Sequence, residues 1–406
     1  MGTVHLSTSV RAEALHVTAR RARQLARRLG ITRVTDITRL DSVGIPVFAS
    51  IRPDAAPGSL CVNAGKGLRF AEARVGALME AIEFAFAEYN RSGLEVYQVP
   101  AGLVYEGGSR PDAILDFCPR MGLEIPLEQP ITCVSAADIE SGEVFAVPAE
   151  LVFLPCPQEL ATPHCFGASS NGLASGNTIL DATIHGLAEV IERDVQSFNW
   201  IDDRSVLVRL ETLPIRLRAV RHAIERAGLT LYVRFVENAF ALPFFNATIV
   251  DLNRVDPVYV NGGQGCHPDR DVAAARAICE ALQSRLSFIH GGRDDLTDFY
   301  GRYETWSADD RRAQARRIIE TAARTEPSIA FDEIPTCSSG LALAATLRGL
   351  ITAVHRAHVT RILRVVYTPK RLPLQVVRVI VPGLEFFSMT SVRVGKRLRD
   401  HVRSIV

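Results

Sequence analysis

The chain has 406 residues, a formal net charge of +1, 47% hydrophobic residues and 22% charged residues. That length and apolar content suffice for one large domain or two ordinary ones with a substantial core, and they exclude an intrinsically disordered chain. Near-neutrality argues against a nucleic-acid partner, which selects for a basic excess.

Residues 1–30 contain no apolar run long enough for a signal peptide. Leu6 stands where a myristoylation signal takes Ser or Thr. An Arg-rich amphipathic helix is expected over about 11–29, then a turn and a strand-like run over 40–47. β-Branched apolar stretches at 95–99, 130–135, 229–236, 245–252, 361–367 and 375–381 read as strands. Helical periodicity falls near 71–90, 180–197, 213–227, 271–290, 307–324 and 340–356. These elements mix rather than alternate, which predicts an α+β fold. We divide it into an N-terminal helical segment, 1–39, and one composite domain, 40–406.

Every long apolar stretch is broken by charge, Pro or Gly short of a membrane span, so no membrane contact is expected. Eight cysteines (61, 118, 133, 156, 165, 266, 279, 337) form no Cys-x-x-Cys pair. Reduced thiols and a cytoplasmic location follow as expectations. His355 and His358 have no Cys or carboxylate cluster beside them and read as helix surface, not as a zinc site. Only three of the 46 basic residues are lysines, Lys66, Lys370 and Lys396. In so arginine-rich a chain each retained lysine is informative.

Two segments match at a constant offset of 109. Gly67, Glu72, Ala73, Leu78, Glu80, Ile82 and Glu83 correspond to Gly176, Asp181, Ala182, Leu187, Glu189, Ile191 and Glu192. Each segment reads as a glycine-bearing loop feeding a helix that ends in Leu-x-Glu-x-Ile-Glu. On a helix, i and i+3 share a face, so Glu80 pairs with Glu83 and Glu189 with Glu192. The first pair is enclosed by Ala77, Leu78, Met79, Ala81, Ile82, Phe84, Ala85 and Phe86, the pattern of a buried helix. Buried like charges need a compensating cation. Four such carboxylates suit Mg²⁺, a hard ion that retains water and bridges phosphates.

The loops add anion-binding potential. Lys66 lies between Gly65 and Gly67, while Ser170, Asn171, Gly172, Gly176 and Asn177 precede the second helix. Backbone N–H groups at a helix N-terminus bind anions, and Lys66 adds a point charge. Because Gly67 follows Lys66, this is not a Walker A loop. A third helix follows Gly262–Pro268, with Arg276, Glu280, Gln283 and Ser287 forming one polar stripe.

Segments 65–88, 169–194 and 263–286 together resemble the YcaO family, over roughly residues 40–386. The resemblance implies mixed sheets with packed helices enclosing an ATP/Mg²⁺ site, and an enzyme that activates peptide-backbone amides with ATP. Carried over position by position, Glu80, Glu83, Glu189 and Glu192 match metal-binding glutamates. Lys66, Ser170, Asn177, Arg193, Arg276, Glu280 and Gln283 match nucleotide-contacting positions. Phe84 stands where azoline-forming members carry Arg, and the chain ends without their Pro-x-Pro-x-Pro tail. Residues 79–88 and 381–385 resemble instead the TfuA-associated branch, linked to thioamide formation. A peptide or protein substrate, a TfuA-like partner, a sulfur source and a homodimer are the expected companions.

In the chemistry that the resemblance implies, a sulfide equivalent adds to the amide carbon and the resulting oxyanion attacks the γ-phosphate of ATP. Loss of phosphate then leaves C=S. Phosphorylation is what turns oxide into a leaving group. No general base stands out. His185 reads as structural, and Cys165 and Cys266 as buried bystanders. The rival readings are an azoline cyclodehydratase, an amidine-forming macrocyclase and a non-catalytic ATP-binding accessory protein; the intact set of four glutamates argues against the last.

Overall fold

Three glycine-bearing strands, each running into a helix, organise the molecule. The computed structural model describes residues 3–104, 113–161, 164–296, 301, 303–336, 342–388 and 391–405. Its main helices are α1 (Leu15–Ala26), α2 (Phe70–Ala87), α3 (Ile179–Ile201), α4 (Ile215–Arg226), α5 (Arg270–His290), α6 (Ala308–Ala323), α7 (Leu343–Arg356) and α8 (Lys396–Ile405). The helical stretches expected near 71–90, 180–197 and 271–290 are α2, α3 and α5. Part of the stretch expected over 340–356, and Cys337, lie outside the described residues.

Each of α2, α3 and α5 packs on a strand of a different sheet. Val62–Lys66 edges a three-stranded antiparallel sheet with Val47–Ile51 and Arg33–Asp36. Leu173–Gly176 edges a larger sheet, followed by Gln375–Ile380, Leu363–Val366, Pro130–Asp138 and Tyr97–Pro100; Val144–Pro148 pairs with Pro130–Asp138. Val260–Cys266 edges a five-stranded sheet, followed by Phe244–Val250, Thr230–Phe235, Val206–Val208 and Ser328–Ile329. Helices and mixed sheets make this an α+β fold.

Close approach explains the glycines. A Cβ on Gly65 would lie 2.0 Å from Ala77 N and 2.2 Å from Ala73 O. On Gly265 it would lie 2.1 Å from Ala273 O, on Gly263 2.2 Å from Ala281 N, and on Gly176 2.6 Å from Ala182 N. Glycine in these strands lets helix backbone rest directly on strand backbone. This corrects the expectation of glycine loops at Gly65, Lys66 and Gly176, which are strand residues, as are Gly263 and Gly265 ahead of α5.

α3 and α5 start where a side chain satisfies one of their first N–H groups. Thr178 Oγ1 accepts from Asp181 N at 3.1 Å ahead of α3, and Asp269 accepts from Asp271 N at 2.8 Å ahead of α5. α2 buries side chains around most of its circumference, including Ala73, Ala77, Leu78, Ala81, Ile82, Ala85 and Phe86. Arg378, fully buried on its strand, donates to Ser169 O at 2.8 Å and Asn171 O at 2.9 Å, pinning the segment ahead of Leu173–Gly176.

The N-terminal helical segment carries strands as well as its helix. It supplies α1, a ribbon of Val4–His5 with Val10–Arg11, and the strand Arg33–Asp36. Ala22, Leu25, Ala26, Leu29 and Ile31 share one core with Leu78 and Ile82 of α2. Among the described residues no helix is long and apolar enough to cross a membrane. The seven described cysteines are free thiols. His355 pairs with Glu140 at 2.9 Å on the surface, as expected of a helix-surface histidine.

Candidate active site

α2, α3 and α5 converge on a cavity of about 570 Å³. Lys66, Glu80, Glu83, Ser170, Asn177, Glu189, Glu192, Arg193, Arg276, Glu280 and Gln283 all line it. Eleven positions from three distant segments thus line one cavity. Phe84 also faces the cavity, as do Arg11, Thr18, His185 and Arg293, which sequence reasoning did not select as ligands. Arg11 and Thr18 belong to the N-terminal segment, and no spacing pattern ties them to the glutamate helices.

The cations and carboxylates interlock. Lys66 Nζ lies 2.7 Å from Glu280 Oε2, and Gln264 N donates to the other Glu280 oxygen at 3.4 Å. Cys266 N donates to Glu192 Oε2 at 2.9 Å, and Arg276 Nη2 lies 4.0 Å from the same oxygen. Ser175 Oγ donates to Glu83 Oε1 at 2.5 Å. Gln283 Nε2 donates to Ala64 O at 2.6 Å, which binds α5 to the strand beneath α2. Asn177 is held by α1: its Nδ2 donates to Thr18 Oγ1 at 2.7 Å, and its Oδ1 accepts from Arg21 at 2.9 Å.

A third copy of the strand–helix unit lies at offset 200, where Gly65, Ala73, Ala77, Glu80 and Glu83 correspond to Gly265, Ala273, Ala277, Glu280 and Gln283. The glycine contacts match, since Gly65 meets Ala73 O and Ala77 N, and Gly265 meets Ala273 O and Ala277 N. Three equivalent helices thus present Glu-x-x-Glu, Glu-x-x-Glu and Glu-x-x-Gln to one space. The signal in the sequence is the repeated Ala-x-x-x-Ala behind Gly, but the exchange of Glu for Gln hides it.

The ribbon at the N-terminus closes one side. The Ser7 N–H donates to Glu72 Oε1 at 3.2 Å, the Ser7 hydroxyl donates to the same carboxylate, and Arg11 Nη1 donates to Asp181 Oδ1 at 3.3 Å. Glu72 and Asp181 are equivalent first-turn acids of α2 and α3, so the ribbon is fastened to both helices at matching places.

Burial sets the electrostatics. It pushes Glu83 up to about 8 and Glu189 to about 7, with neighbouring carboxylates reinforcing the rise. Burial likewise raises Glu80 and Glu192. In Glu280 burial opposes ionisation, but Lys66, Arg193 and Arg276 outweigh it and hold the carboxyl below its ordinary range. Glu80, Glu83 and Glu189 have no ion pair within 4 Å among the described residues, and the buried Arg276 Nε has no hydrogen-bond partner. Buried carboxylates without a contact ion pair, beside an unused guanidinium donor, fit a ligand carrying both a cation and phosphate oxygens. Among the described residues no three His, Cys, Asp or Glu side chains converge tightly enough to cage an ion alone. Cys165 and Cys266 are buried, and burial raises both thiols, Cys165 to about 11, so neither is a ready thiolate.

Comparison with known proteins matches residues 64–385 to the model of the YcaO cyclodehydratase family, described as ATP- and Mg²⁺-binding. A protein of Methanothermobacter thermautotrophicus is 30% identical over 92% of this chain and 94% of its own length. A Rhizobium leguminosarum bv. trifolii protein from the tfuA 3′ region is 34% identical over 93% of this chain and 89% of its own. The structure of YcaO from Methanopyrus kandleri, bound with AMPPCP and Mg²⁺, superposes with a TM-score of 0.78 at 24% identity, covering 98% of both chains. A heterocyclase in complex with substrate and cofactor gives 0.76 at 18% identity, over 97% of this chain and 55% of that one. With the family model spanning most of its length, the chain belongs to the YcaO family of ATP- and Mg²⁺-binding cyclodehydratases.

Proposed function

We propose that this chain uses ATP to O-phosphorylate a backbone amide of a ribosomally made peptide or protein, and that the product is a thioamide. The observation that carries the proposal is the convergence of four glutamates from α2 and α3 with Lys66, Arg193 and Arg276 on one cavity. Glu80, Glu83, Glu189 and Glu192 would hold Mg²⁺, which supplies charge neutralisation along a triphosphate. Lys66, Arg193 and Arg276 would orient phosphate oxygens, with Ser170, Asn177, Glu280 and Gln283 completing the nucleotide wall.

In this reading a hydrosulfide-level sulfur from a donor adds to the amide carbon, and the carbonyl oxygen becomes an oxyanion. That oxygen takes the terminal phosphoryl group and ADP leaves. Loss of the sulfur-bound proton and departure of phosphate then give C=S. The chain's share is positioning and charge balance.

The thioamide outcome is supported by the relative from the tfuA 3′ region. A TfuA-like partner that delivers sulfur, and assembly as a homodimer, belong to the same proposal. The second reading, azoline formation by a substrate Cys, Ser or Thr, is favoured by the family description and by the heterocyclase likeness. Product mass separates them. The chain is co-expressed with a TfuA-like protein and a candidate substrate peptide, and the peptide is weighed intact. Exchange of oxygen for sulfur supports thioamidation; loss of one water means cyclisation. Undiminished modification by Glu189→Gln would remove the metal role from that residue.

A further inference from the structure

Arg276 faces two side chains of α3, His185 and Glu192. Its Nη1 lies 3.4 Å from His185 Nδ1, its Nη2 lies 4.0 Å from Glu192 Oε2, and its Nε is buried without a partner. His185 and Arg276 occupy corresponding places in the second and third strand–helix units, at offsets of 109 and 200 from Gly76, and all three line the cavity.

A guanidinium only donates hydrogen bonds. The nitrogen facing it must therefore accept, which places the imidazole's single proton on Nε2. Burial, and then the charges of Arg11, Arg276 and Lys66, hold the imidazole well below its usual range, in keeping with a neutral ring. The position of Arg276 is a balance. A contact ion pair with a carboxylate closes to roughly 2.7–2.9 Å, whereas Glu192 stands at 4.0 Å. The hydrogen bond to His185 holds the other arm of the fork and keeps the guanidinium from collapsing onto Glu192. Its unused Nε–H and its charge then remain available to an anion.

We infer that His185 is a positioning residue for Arg276: through Nδ1 it fixes the guanidinium at the cavity wall, and it offers Nε2–H beside it as a neutral donor. The inference rests on the nucleotide reading of the cavity, and it assigns a function to a side chain that the sequence alone marks as structural.

The test is the affinity for Mg²⁺–AMPPCP, measured calorimetrically on the full chain for wild type, His185→Leu, His185→Asn, Arg276→Gln and the double variant His185→Leu/Arg276→Gln. Loss of a hydrogen bond to a charged group predicts roughly tenfold weaker binding for His185→Leu. His185→Asn restores most of it, because Asn Oδ1 takes the place of Nδ1. In the Arg276→Gln background His185→Leu costs nothing further, since the two act as one unit. Wild-type affinity in His185→Leu, additive losses in the double variant, or Asn no better than Leu would each overturn the inference. The ¹⁵N spectrum of the nucleotide-free protein, with His185 identified by its loss in His185→Asn, decides independently. The Nε2–H tautomer is expected, and the Nδ1–H tautomer overturns the inference. A wild type that fails to bind Mg²⁺–AMPPCP counts against the proposed function, and the tautomer still tests His185.

Discussion

Lys66 Nζ and Glu280 Oε2 meet at 2.7 Å, joining the strand beneath α2 to the middle of α5. Both side chains are about one-fifth exposed, on the cavity side, so their pair is open to a ligand rather than sealed in the core. The compact ammonium serves Glu280 and still faces the space beyond it. A guanidinium is planar and broader, and it would pair in fork geometry with the carboxylate. Lys66→Arg is therefore expected to weaken Mg²⁺–AMPPCP binding by about tenfold, the scale of a hydrogen bond to a charged group. Lys396→Arg, on α8, is expected to leave it unchanged. Equal affinities for the two variants would show that charge alone matters at position 66.

Glu83 and Glu189 are costly in the empty protein and useful in the filled one. Removing a buried carboxylate that has no ion pair relieves desolvation. Glu83→Gln should raise the melting temperature of the nucleotide-free protein by a few degrees, equivalent to about 1 kcal/mol. The same variant should lose most of the further rise that Mg²⁺–AMPPCP gives the wild type. A thermal melt with and without ligand reads both. A lower melting temperature without ligand would mean that the Ser175–Glu83 hydrogen bond outweighs the burial cost.

Much of this arrangement was legible in the sequence because it is written in local periodicity. The i, i+3 spacing of Glu80 with Glu83 and of Glu189 with Glu192, and the glycines ahead of them, survive as geometry. The third unit was harder to see, since Gln283 replaces the second glutamate and the repeat then reads only through Gly265, Ala273 and Ala277. Gly65 and Gly176 read as loop residues in the sequence, because local sequence does not tell a flexible glycine from one that admits a neighbouring backbone. Arg11 and Thr18 carry no such signal. They reach the cavity through the ribbon and α1, in contacts with Asp181 and Asn177 that span 170 and 159 residues of chain and leave no periodic trace.

Burial of the glutamates sets a pH dependence with a definite sign. A glutamate starts from about 4.5, whereas Glu83 stands at about 8 and Glu189 at about 7 in the folded chain. Between these values the folded protein holds protons that the unfolded chain has released. The stability that these two carboxyls contribute is therefore lost as pH rises from about 4.5 to about 8. Metal binding requires the ionised form and releases those protons. The melting temperature without ligand is expected to drop between about pH 6 and about pH 8, while the gain from Mg²⁺–AMPPCP grows over the same interval. Calorimetry in two buffers of different ionisation enthalpy counts the protons released. No net release on binding at neutral pH would show that these carboxylates are already charged in the empty cavity.

The distance between strand and helix can be tested with two glycines in contrasting places. Gly65 has no room for a methyl group: its Cβ would sit 2.0 Å from Ala77 N and 2.2 Å from Ala73 O. Both contacts are with backbone, so a rotamer change cannot relieve them and Ala77→Gly should not rescue Gly65→Ala. To accept the methyl group, α2 must lift from Val62–Lys66, which moves Glu80 and Glu83 away from Lys66 and opens the core on the other side of the helix. Gly65→Ala is expected to destabilise the fold by more than about 3 kcal/mol, the range of severe overpacking, and to abolish nucleotide binding in whatever protein remains soluble. Gly349, in the interior of α7, has nothing within 4 Å of its Cβ position. Gly349→Ala should gain up to about 1 kcal/mol of helix stability and raise the melting temperature by a few degrees. Thermal melts of the two variants beside wild type give opposite signs if the glycine in the strand serves close approach. A tolerated Gly65→Ala would mean that α2 sits further from its strand than this packing requires, and the placement of the first glutamate pair would then need another cause.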